Sequence, residues 1–329
     1  MMPMDKLTID RNADQDVSFI SSSPKFNLAA RGDGRYNTAI RIGQALLAVF
    51  IIAFFGSIII QSIPGWKAAG LGFFTSKDWS SADYKFGALS LIAGTLVTTF
   101  IALLFAVPVG ISAALSIQFL LHRRLRVFFS SLVEVLAIVP SIVFGVWGVA
   151  VISPWTQHTL EPFLRDITGG APPFQGEIYG IGLLLGGLVL GVMILPTVVA
   201  VSRDAFAMVP QTLLEAAFGL GATRSQVLFR VALPAARRGV LGAVTLGTGR
   251  ALGETVAMAT ILGGVTNKFP SSVFDLGATL ASTIARDFLE ASGSQIGALG
   301  SIALILTVIV FFVNYLARKI ITRQAATLS

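Results

Sequence analysis

"TLLEAAFGLGATRSQVLFRVALP", residues 212–234, joins two long apolar runs of the chain. Thr212 is followed three residues later by Glu215, and this spacing fits a capping box, in which each side chain bonds to the backbone N–H of the other residue. Thr223 and Gln226 repeat the same spacing. The segment therefore predicts two short helices, one beginning at each threonine.

A glycine turn is expected between these helices, because Gly219 and Gly221 punctuate the pattern. Pro234 is expected to end the second helix, since proline lacks a backbone N–H. The whole loop, 202–238, is thus predicted to be compact, and a structured loop of this kind suits a binding partner. A simpler interpretation is that Glu215 is only a helix cap, with its apolar neighbours packed against the adjoining spans. Those neighbours are Leu213, Leu214, Ala217 and Phe218.

The composition indicates a membrane protein with several spans. Of the 329 residues, 54% are hydrophobic and only 12% are charged, and the mean hydropathy is +0.79. A soluble domain normally carries about 25% charged residues. The chain has no cysteine and two histidines, which excludes disulfides, thiolate chemistry and a Cys- or His-based metal centre. No metal or cofactor is predicted.

Six apolar runs each approach the roughly 20 residues that a helix needs to cross a bilayer. They are about 39–63, 87–117, 127–152, 178–201, 239–264 and 296–317. Pro108, Pro140 and Pro196 lie inside three of them, and Pro108 is expected to kink or divide its run. The predicted fold class is an all-α polytopic membrane protein with six transmembrane helices.

The distribution of lysine and arginine predicts the orientation. If the polar tail 1–38 and the short tail 318–329 are both inside, the inside segments carry 17 of the 24 basic residues, counting Arg41 at the start of the first span. The outside segments carry six, and the remaining one is Arg250. Because basic residues are enriched on the cytoplasmic side, both termini are predicted to be cytoplasmic. The net charge of +7 thus reflects topology, and nucleic-acid binding is not indicated.

The loop 202–238 resembles the EAA signature of importer-type ABC permeases, the MetI-like family. Its Glu-Ala-Ala, a glycine after three further residues, and Val-Ala-Leu-Pro after nine more reproduce that signature, with valine where isoleucine is common. The resemblance implies the permease core of that family over residues 87–317, with a short cytoplasmic helix that docks in a groove of an ATPase. It assigns ATPase coupling to Glu215, Ala216, Ala217, Gly221, Leu233 and Pro234.

ATP hydrolysis is expected in a separate subunit. No nucleotide-binding loop of the form G-x-x-x-x-G-K-[ST] occurs in the chain. The chain is therefore predicted to be a transport subunit and not itself an enzyme. The family resemblance implies two cytoplasmic ATPase subunits and a homologous A-type permease, which forms a heterodimer with this chain, as partners within the lipid membrane.

Arg250 and Glu254 are the only ionisable residues of the fifth apolar run. A charge near the middle of a span costs about 2.5–3.5 kcal/mol, so these groups should face protein or water. Their i,i+4 spacing places them on one face of a continuous helix, where they can pair. Either the pair only locks the span against a neighbour, or Arg250 lines the path of an anion that Glu254 orients or releases. Thr248 and Thr255 would then offer hydroxyl donors.

Glu134, in the third run, is a further charge within the predicted membrane. If all three groups ionise, their sum is −1, which is unfavourable for the path of an anion. A hydrated vestibule around Glu134, one protonated carboxyl, or positive charge from a partner subunit would each resolve this. Packing or helix anchoring is the favoured role for Glu134.

Three strings resemble the C-type permease subunits of phosphate importers: "GRALGETVA" (249–257), "EVLAIVPSIVFGVWG" (134–148) and "FGALSLIAGTLVTTFIALLFAVPVGISAA" (86–114). The Gly-Arg-Ala-x-Gly-Glu-Thr string is characteristic of phosphate permeases, in which its Arg and Glu are transport residues. The resemblance carries those roles to Arg250 and Glu254. It implies translocation of inorganic phosphate across the bacterial plasma (inner) membrane.

A periplasmic phosphate-binding protein is the remaining partner that this resemblance implies. It would dock on the predicted outer loops, about 64–86, 153–177 and 265–295. Three other interpretations stay open: import of another oxyanion such as sulfate, molybdate or phosphonate, an ion-coupled secondary transporter, and a membrane scaffold or sensor. The loop 202–238 has no role in the secondary transporter, and a charged Arg250 has none in the scaffold.

Overall fold

The computed structural model describes residues 33–70, 72–80 and 85–326. The chain divides into two compact units, residues 1–56 and 57–329. In the first unit the described residues form one helix, whose side chains are nearly all exposed from Tyr36 onward. Most of the predicted polar tail, 1–38, lies outside the described residues, and its end already belongs to that helix, which begins at Asp33.

The first half of the described chain contains a long helix, a small antiparallel hairpin and a series of core helices. Its elements are α1 (Asp33–Ala69), α2 (Gly72–Thr75), β1 (Trp79–Ser80), β2 (Lys85–Phe86), α3 (Leu89–Leu115), α4 (Arg123–Ile138), α5 (Ser141–Trp147), α6 (Ser153–Trp155) and α7 (Glu161–Thr168). In the hairpin, Trp79 lies opposite Phe86.

All the regular elements of the second half are helices, and an isolated bridge joins Gly263 to Gly277 in the loop before α13. Its elements are α8 (Leu183–Ala207), α9 (Gln211–Gly219), α10 (Arg224–Val227), α11 (Leu233–Leu252), α12 (Val256–Ile261), α13 (Leu280–Asp287) and α14 (Ser294–Ala326). Wider π-helical turns extend or join several helices, at Ser116–Leu120, Gly148–Ile152, Thr156–Leu160 and Leu228–Ala232. The predicted C-terminal tail, 318–329, continues α14 as far as Ala326, and its last three residues lie outside the described part.

Four helical segments of the described chain are long and apolar enough to cross a membrane. They are Tyr36–Lys67, Leu89–Leu120, Leu183–Ala207 and Ser294–Lys319. A bent pair, Arg123–Ile138 with Ser141–Thr168, supplies a fifth if it counts as one span. The prediction of a mostly helical membrane protein is therefore confirmed, whereas six separate long helices are not found in the described residues.

The third predicted span, 127–152, is broken at Pro140, and the expectation of one continuous helix there was wrong. The helical segments on either side, α4 and Ser141–Thr168, are bent by 93° relative to each other. Val139, the residue before the proline, has an extended ψ of 127°, because the proline ring disfavours the helical conformation of the preceding residue. Pro108 and Pro196, by contrast, lie inside α3 and α8 without ending them, so Pro108 does not divide its run.

Helices α3 and α8 pack closely in the second unit because glycines of α8 face side chains of α3. A Cβ atom at Gly187 would lie 2.5 Å from Cβ of Ile101, and one at Gly191 would lie 2.9 Å from the Phe105 ring. Small residues let helix backbones approach one another, which is the usual way that helices pack in lipid. The apolar core around this contact includes Leu183, Leu190, Met193, Ile194, Met258 and Ile261.

A second close crossing joins the C-terminal part of α1 to α14, within the second unit. A Cβ atom at Gly65 would overlap Oγ of Ser301 and would lie 2.6 Å from the Gly297 carbonyl oxygen. The Ser301 hydroxyl donates a hydrogen bond of 3.1 Å to the Ser62 carbonyl oxygen. The two helices therefore touch backbone to backbone, and no side chain larger than hydrogen fits at Gly65.

Replacing Gly65 by alanine is expected to lower the stability of the purified protein. Overpacking of this kind costs about 1–3 kcal/mol, which should appear as a Tm lower by several degrees in detergent, followed by tryptophan fluorescence. Gly56→Ala on the same helix is the matched control, because nothing lies within 4 Å of a Cβ atom there. Equal Tm values for the two variants would contradict the close crossing.

Candidate functional site

The fifth predicted span, 239–264, consists of two helices separated by a break. Helix α11 ends at Leu252, and α12 begins at Val256. Gly253 ends the first helix with φ −92° and ψ 1°, and glycine is a poor helix former because its backbone loses the most freedom on folding. Irregular backbone at membrane depth is tolerated only where protein or water surrounds it. The expectation that Arg250 and Glu254 share one continuous helix was therefore wrong.

Arg250 lies in the last turn of α11 and is half-buried. Its Nη1 donates a hydrogen bond of 3.3 Å to Oγ1 of Thr197 on α8. Within the described residues, no carboxylate lies within 4.0 Å of the guanidinium. A guanidinium has five N–H donors, so most of its donors and all of its charge remain available.

Glu254 lies in the break and does not pair with Arg250. Its Oε1 accepts a hydrogen bond of 3.2 Å from the backbone N–H of Ala257. The carboxylate thus satisfies one of the free N–H groups at the start of α12. The expected ion pair is absent from the part of the chain that the structure describes, because the break turns Glu254 toward the following helix.

The two threonines predicted beside these charges have different surroundings. Thr248 is buried in α11 and donates its hydroxyl hydrogen to the Val244 carbonyl oxygen at 2.8 Å. Thr255 precedes α12, where its side chain makes no capping hydrogen bond. Of this pair, Thr255 is the one whose hydroxyl is available.

Thr197 is a residue of this site that the sequence pattern did not indicate. It follows Pro196 in an apolar run without charges, so no charge pattern or motif distinguishes it. Its position becomes informative only once α8 and α11 are packed together. A Cβ atom at Gly247 would lie 3.0 Å from Val198, and this close approach places Arg250, one turn later, against α8.

Glu134 forms an ion pair with Arg203, whose Nη1 lies 3.6 Å from Oε1 of the glutamate. The pair connects α4 to the C-terminal part of α8. The side chain of Glu134 is 62% exposed and that of Arg203 is 21% exposed. Arg203 also contacts Asp204 at 3.1 Å. This arrangement supports the helix-anchoring role, with the charge of Arg203 shared between Glu134 and Asp204.

The first half of the loop 202–238 forms α9, but not as the capping box predicted. The helix begins at Gln211, directly after Pro210, so Thr212 lies inside its first turn and makes no capping bond. Because proline fixes φ near the helical value, it can start the helix before the threonine. Gly221 follows with φ +82°, in the left-handed region that glycine adopts at little cost.

The second half of the loop leads directly into α11. The capping box of Thr223 and Gln226 is confirmed in both directions. Pro234 does not end the helix, contrary to expectation; it lies at the start of α11, immediately after the π-helical turn Leu228–Ala232. The wider turn accommodates the proline, which is also favoured in the first turn of a helix. Helical structure therefore runs from α10 through Leu252.

Helix α9 exposes an apolar face. Leu213 is 43% exposed, Phe218 is 48% exposed and Leu220, just after the helix, is 90% exposed. Leu214 instead packs against the buried cluster at the ends of α8 and α11. Glu215 is exposed beside the apolar face. The simple interpretation, in which all of these apolar residues pack on the spans, was wrong for Leu213 and Phe218.

Asp275 stabilises the segment that follows α12, through hydrogen bonds and an ion pair. Oδ2 of Asp275 accepts hydrogen bonds from the backbone N–H groups of Ser271 and Ser272, at 2.8 and 2.9 Å, and Oδ1 lies 3.5 Å from Nζ of Lys268. Burial alone would raise the pKa of Asp275, but these N–H groups, the Ser271 hydroxyl and Lys268 hold it below its ordinary value. At pH values above the ordinary pKa of aspartate, the ionised Asp275 carboxylate therefore stabilises this segment. That contribution is lost as the pH falls through the lowered pKa of Asp275.

Hydrogen bonds join the hairpin of β1 and β2 to Asp287 at the end of α13 and to Thr266 in the segment after α12. The Trp79 indole donates to Oδ2 of Asp287 at 3.1 Å, and Nε of Arg286 donates to Oδ1 of the same carboxylate at 2.7 Å. Nη1 of Arg286 also donates to the Gly264 carbonyl oxygen at 2.7 Å, and the Thr266 hydroxyl donates to the Trp79 carbonyl oxygen at 3.0 Å.

Within the described residues, no group of three His, Asp or Glu side chains could hold a metal ion.

The chain belongs to the family of inner membrane components of binding-protein-dependent transport systems. The model of that family matches residues 106–322, a stretch that contains α8, the loop 202–238 and the break between α11 and α12. The family membership predicted from the loop is thereby confirmed.

Relatives that carry the name phosphate transport system permease protein PstC are similar to most of the chain. The protein of Mesorhizobium japonicum is 39% identical over 285 residues, which cover 84% of this chain and 87% of the relative. That of Pasteurella multocida is 38% identical over 292 residues, with 88% and 91% covered. That of Haemophilus influenzae is 39% identical over 291 residues, with 86% and 92% covered.

A solved structure shares the fold. The crystal structure of a bacterial alginate ABC transporter, in complex with an alginate pentasaccharide-bound periplasmic protein, contains a chain that matches with a TM-score of 0.59. The match covers 88% of this chain and 96% of that chain, at 17% sequence identity. At this identity the similarity shows the fold alone.

Replacing Glu134 by glutamine is expected to have a small effect on stability and none on transport. Exposed ion pairs contribute about 0–1 kcal/mol, so the Tm in detergent should fall by a few degrees at most. The effect should disappear in an Arg203→Gln background, since the partner is already lost. Loss of transport at an unchanged amount of protein in the membrane would show that Glu134 acts in the substrate path.

Proposed function

We propose that the chain is the C-type permease subunit of an ATP-driven importer that translocates inorganic phosphate across the bacterial inner membrane. The observation that carries the proposal is Arg250, a half-buried guanidinium on α11 whose hydrogen bond goes to the neutral hydroxyl of Thr197. The names of the relatives at 38–39% identity support phosphate as the anion. Guanidinium chemistry alone fits sulfate or molybdate equally well, so the choice of phosphate rests on those relatives.

Arg250 is suited to a passing oxyanion. A guanidinium stays charged at physiological pH, and its planar set of donors matches two oxygens of a tetrahedral anion. Its charge has no carboxylate partner within the described residues, so an anion that arrives meets no competing ion pair. A charge in this position costs about 2.5–3.5 kcal/mol, and the anion offsets part of that cost.

Glu254 acts at the joint between the two helices. Its bond to the Ala257 N–H holds the first turn of α12 in place, and its negative charge follows Arg250 in the chain by four residues. The negative charge of Glu254 weakens the attraction of this region for the anion and thereby favours its release from Arg250. Thr255, in the same break, offers a hydroxyl to the anion, while Thr248 supports α11 through its bond to Val244.

Helix α9 is the contact for the ATPase. Its exposed apolar residues Leu213 and Phe218, with Glu215 beside them, form a surface that a groove in a partner would cover. A patch of this kind is unfavourable in water and typical of an interface. The coupling residues are Glu215, Ala216, Ala217, Gly221, Leu233 and Pro234. Two ATPase subunits would bind the complex, one through α9 and one through the corresponding helix of an A-type permease partner.

The membrane topology that fits this function has six crossings with both termini inside. The helices α11 and α12 together form the fifth crossing, broken at the position of Glu254, and the bent pair α4 and α5–α7 forms the third. The distribution of basic residues supports this orientation. A periplasmic phosphate-binding protein would dock on the outer loops, about 64–86, 153–177 and 265–295, which include the hairpin and the segment held by Asp275.

Replacing Arg250 by alanine is expected to lower phosphate uptake by at least about a hundredfold, because the positive charge that receives the anion is lost. Uptake of radiolabelled phosphate is measured in cells that have no other phosphate importer. The amount of chain in the membrane and the ATPase that copurifies with it should not change. Arg124→Ala, an exposed arginine at the start of α4, is the matched control. Normal uptake by Arg250→Ala would remove this residue from the path.

Replacing Glu215 by lysine is expected to weaken the association with the ATPase and to reduce uptake in proportion. The charge reversal is at an exposed position of α9, beside its exposed apolar residues, and does not disturb a buried contact. Copurification of the ATPase in mild detergent measures the association. His122→Lys also introduces a lysine on the same predicted side of the membrane, outside the loop, and should leave copurification unchanged. Wild-type association of Glu215→Lys would contradict the coupling role.

A further inference from the structure

The hydroxyl of Thr197 behaves differently from most threonine hydroxyls on the described long helices, although the buried hydroxyl of Thr99 on α3 also makes no hydrogen bond. Five threonines on these helices donate a hydrogen bond to the carbonyl oxygen four residues earlier, as threonine commonly does in a helix. They are Thr95, Thr98, Thr245, Thr248 and Thr307. Thr197 instead accepts a hydrogen bond from Arg250, and within the described residues it donates none. Its oxygen is thus directed to α11 and not to its own helix.

The packing of α8 on α11 fixes this arrangement. The absence of a side chain at Gly247 lets Val198 approach α11 closely, and Thr197 is the neighbour of Val198 in the chain. Both Thr197 and Arg250 are half-buried. The hydroxyl therefore meets the guanidinium across a helix contact that is already close, and it keeps its one O–H hydrogen free for a third group.

We propose that Thr197 is a second anion-contacting residue of the substrate path, contributed by α8. Its oxygen orients the guanidinium of Arg250, and its hydroxyl hydrogen is donated to an oxygen of the same anion. The inference rests on the proposed function, since it names a further residue of the site at Arg250. It gives that site two donors from two different helices.

The chemistry of the pair fits a tetrahedral oxyanion. One oxygen accepts from the guanidinium and a second accepts from the threonine hydroxyl, while the bond between Arg250 and Thr197 keeps the two donors at a constant spacing. A charge-assisted hydrogen bond is stronger than a neutral one. Because the two donors lie on α8 and α11, a relative movement of these helices separates them and weakens the hold on the anion.

The test compares three substitutions in the complete transporter, with initial rates of radiolabelled phosphate uptake at saturating phosphate, normalised to the amount of chain in the membrane. Thr197→Val preserves the shape and removes the hydroxyl, and it is expected to reduce the maximal rate about tenfold, the usual effect of losing a hydrogen bond to a charged group. Thr197→Ser keeps the hydroxyl and should retain most of the rate. Thr307→Val is the control, because that hydroxyl donates to its own helix.

The role through Arg250 is tested by a double-mutant cycle in an Arg250→Lys background, where a residual rate is measurable. Since lysine does not reproduce the geometry of the guanidinium, Thr197→Val should cost much less there than in the wild type. A tenfold loss in both backgrounds would show that the two residues act independently and would overturn the role of Thr197 in orienting Arg250. So would a wild-type rate for Thr197→Val, or equal losses for the valine and serine variants, which would indicate a packing effect.

Failure of this inference is distinguishable from failure of the proposed function. If Arg250→Ala is inactive and Thr197→Val transports normally, the phosphate path remains and only the role of Thr197 is lost. If the wild-type complex does not take up phosphate, the proposed function itself is wrong. In that case, uptake assays with sulfate and with molybdate in the same cells show whether one of these is the transported anion.

Discussion

A half-buried positive charge without a carboxylate partner is the constraint on which the site depends. Taking Arg250 out of water has a cost, and within the described residues it is offset by one hydroxyl and not by an ion pair. Several features of the site follow from keeping it unpaired. Helix α11 ends before Glu254, which bonds to α12, while the other carboxylate predicted in the membrane, Glu134, pairs with Arg203, which it shares with Asp204.

Much of the fold followed from the sequence, because long apolar runs have few alternatives in a bilayer. The run that became α3 was predicted to within two residues at each end, whereas α8 begins five and ends six residues later than its predicted run, and α14 continues nine residues beyond its run. The family was predicted from the loop 202–238, because the EAA signature in it is specific. The capping pattern of the same loop, taken alone, favours only a simple helix cap. The second capping box was predicted correctly, since a polar threonine before a helix has one favoured arrangement.

The errors occurred where a local rule competed with chain context. Pro210 began α9 one residue before the threonine that should have capped it, and Pro140 bent a span that a hydropathy pattern treats as continuous. The break at Gly253 was not predicted, because apolar residues continue on both sides of it in the sequence. Thr197 was not predictable, since its role arises from contact with a residue 53 positions later. Such contacts depend on how two helices pack, which periodicity does not describe.

The continuity of structure from α10 through α11 has a mechanical consequence. A capped start at Thr223, a π-helical turn and α11 follow one another with no flexible segment between them, up to Leu252. Helix α11 alone has 20 residues, a rod of about 30 Å at 1.5 Å per residue. If α9 is moved by an ATPase, the rod acts as a lever whose far end carries Arg250, and the break at Gly253 is its pivot. A displacement at the Thr223 end is then carried along continuous helical structure as far as Arg250, and the break at Gly253 separates that movement from α12.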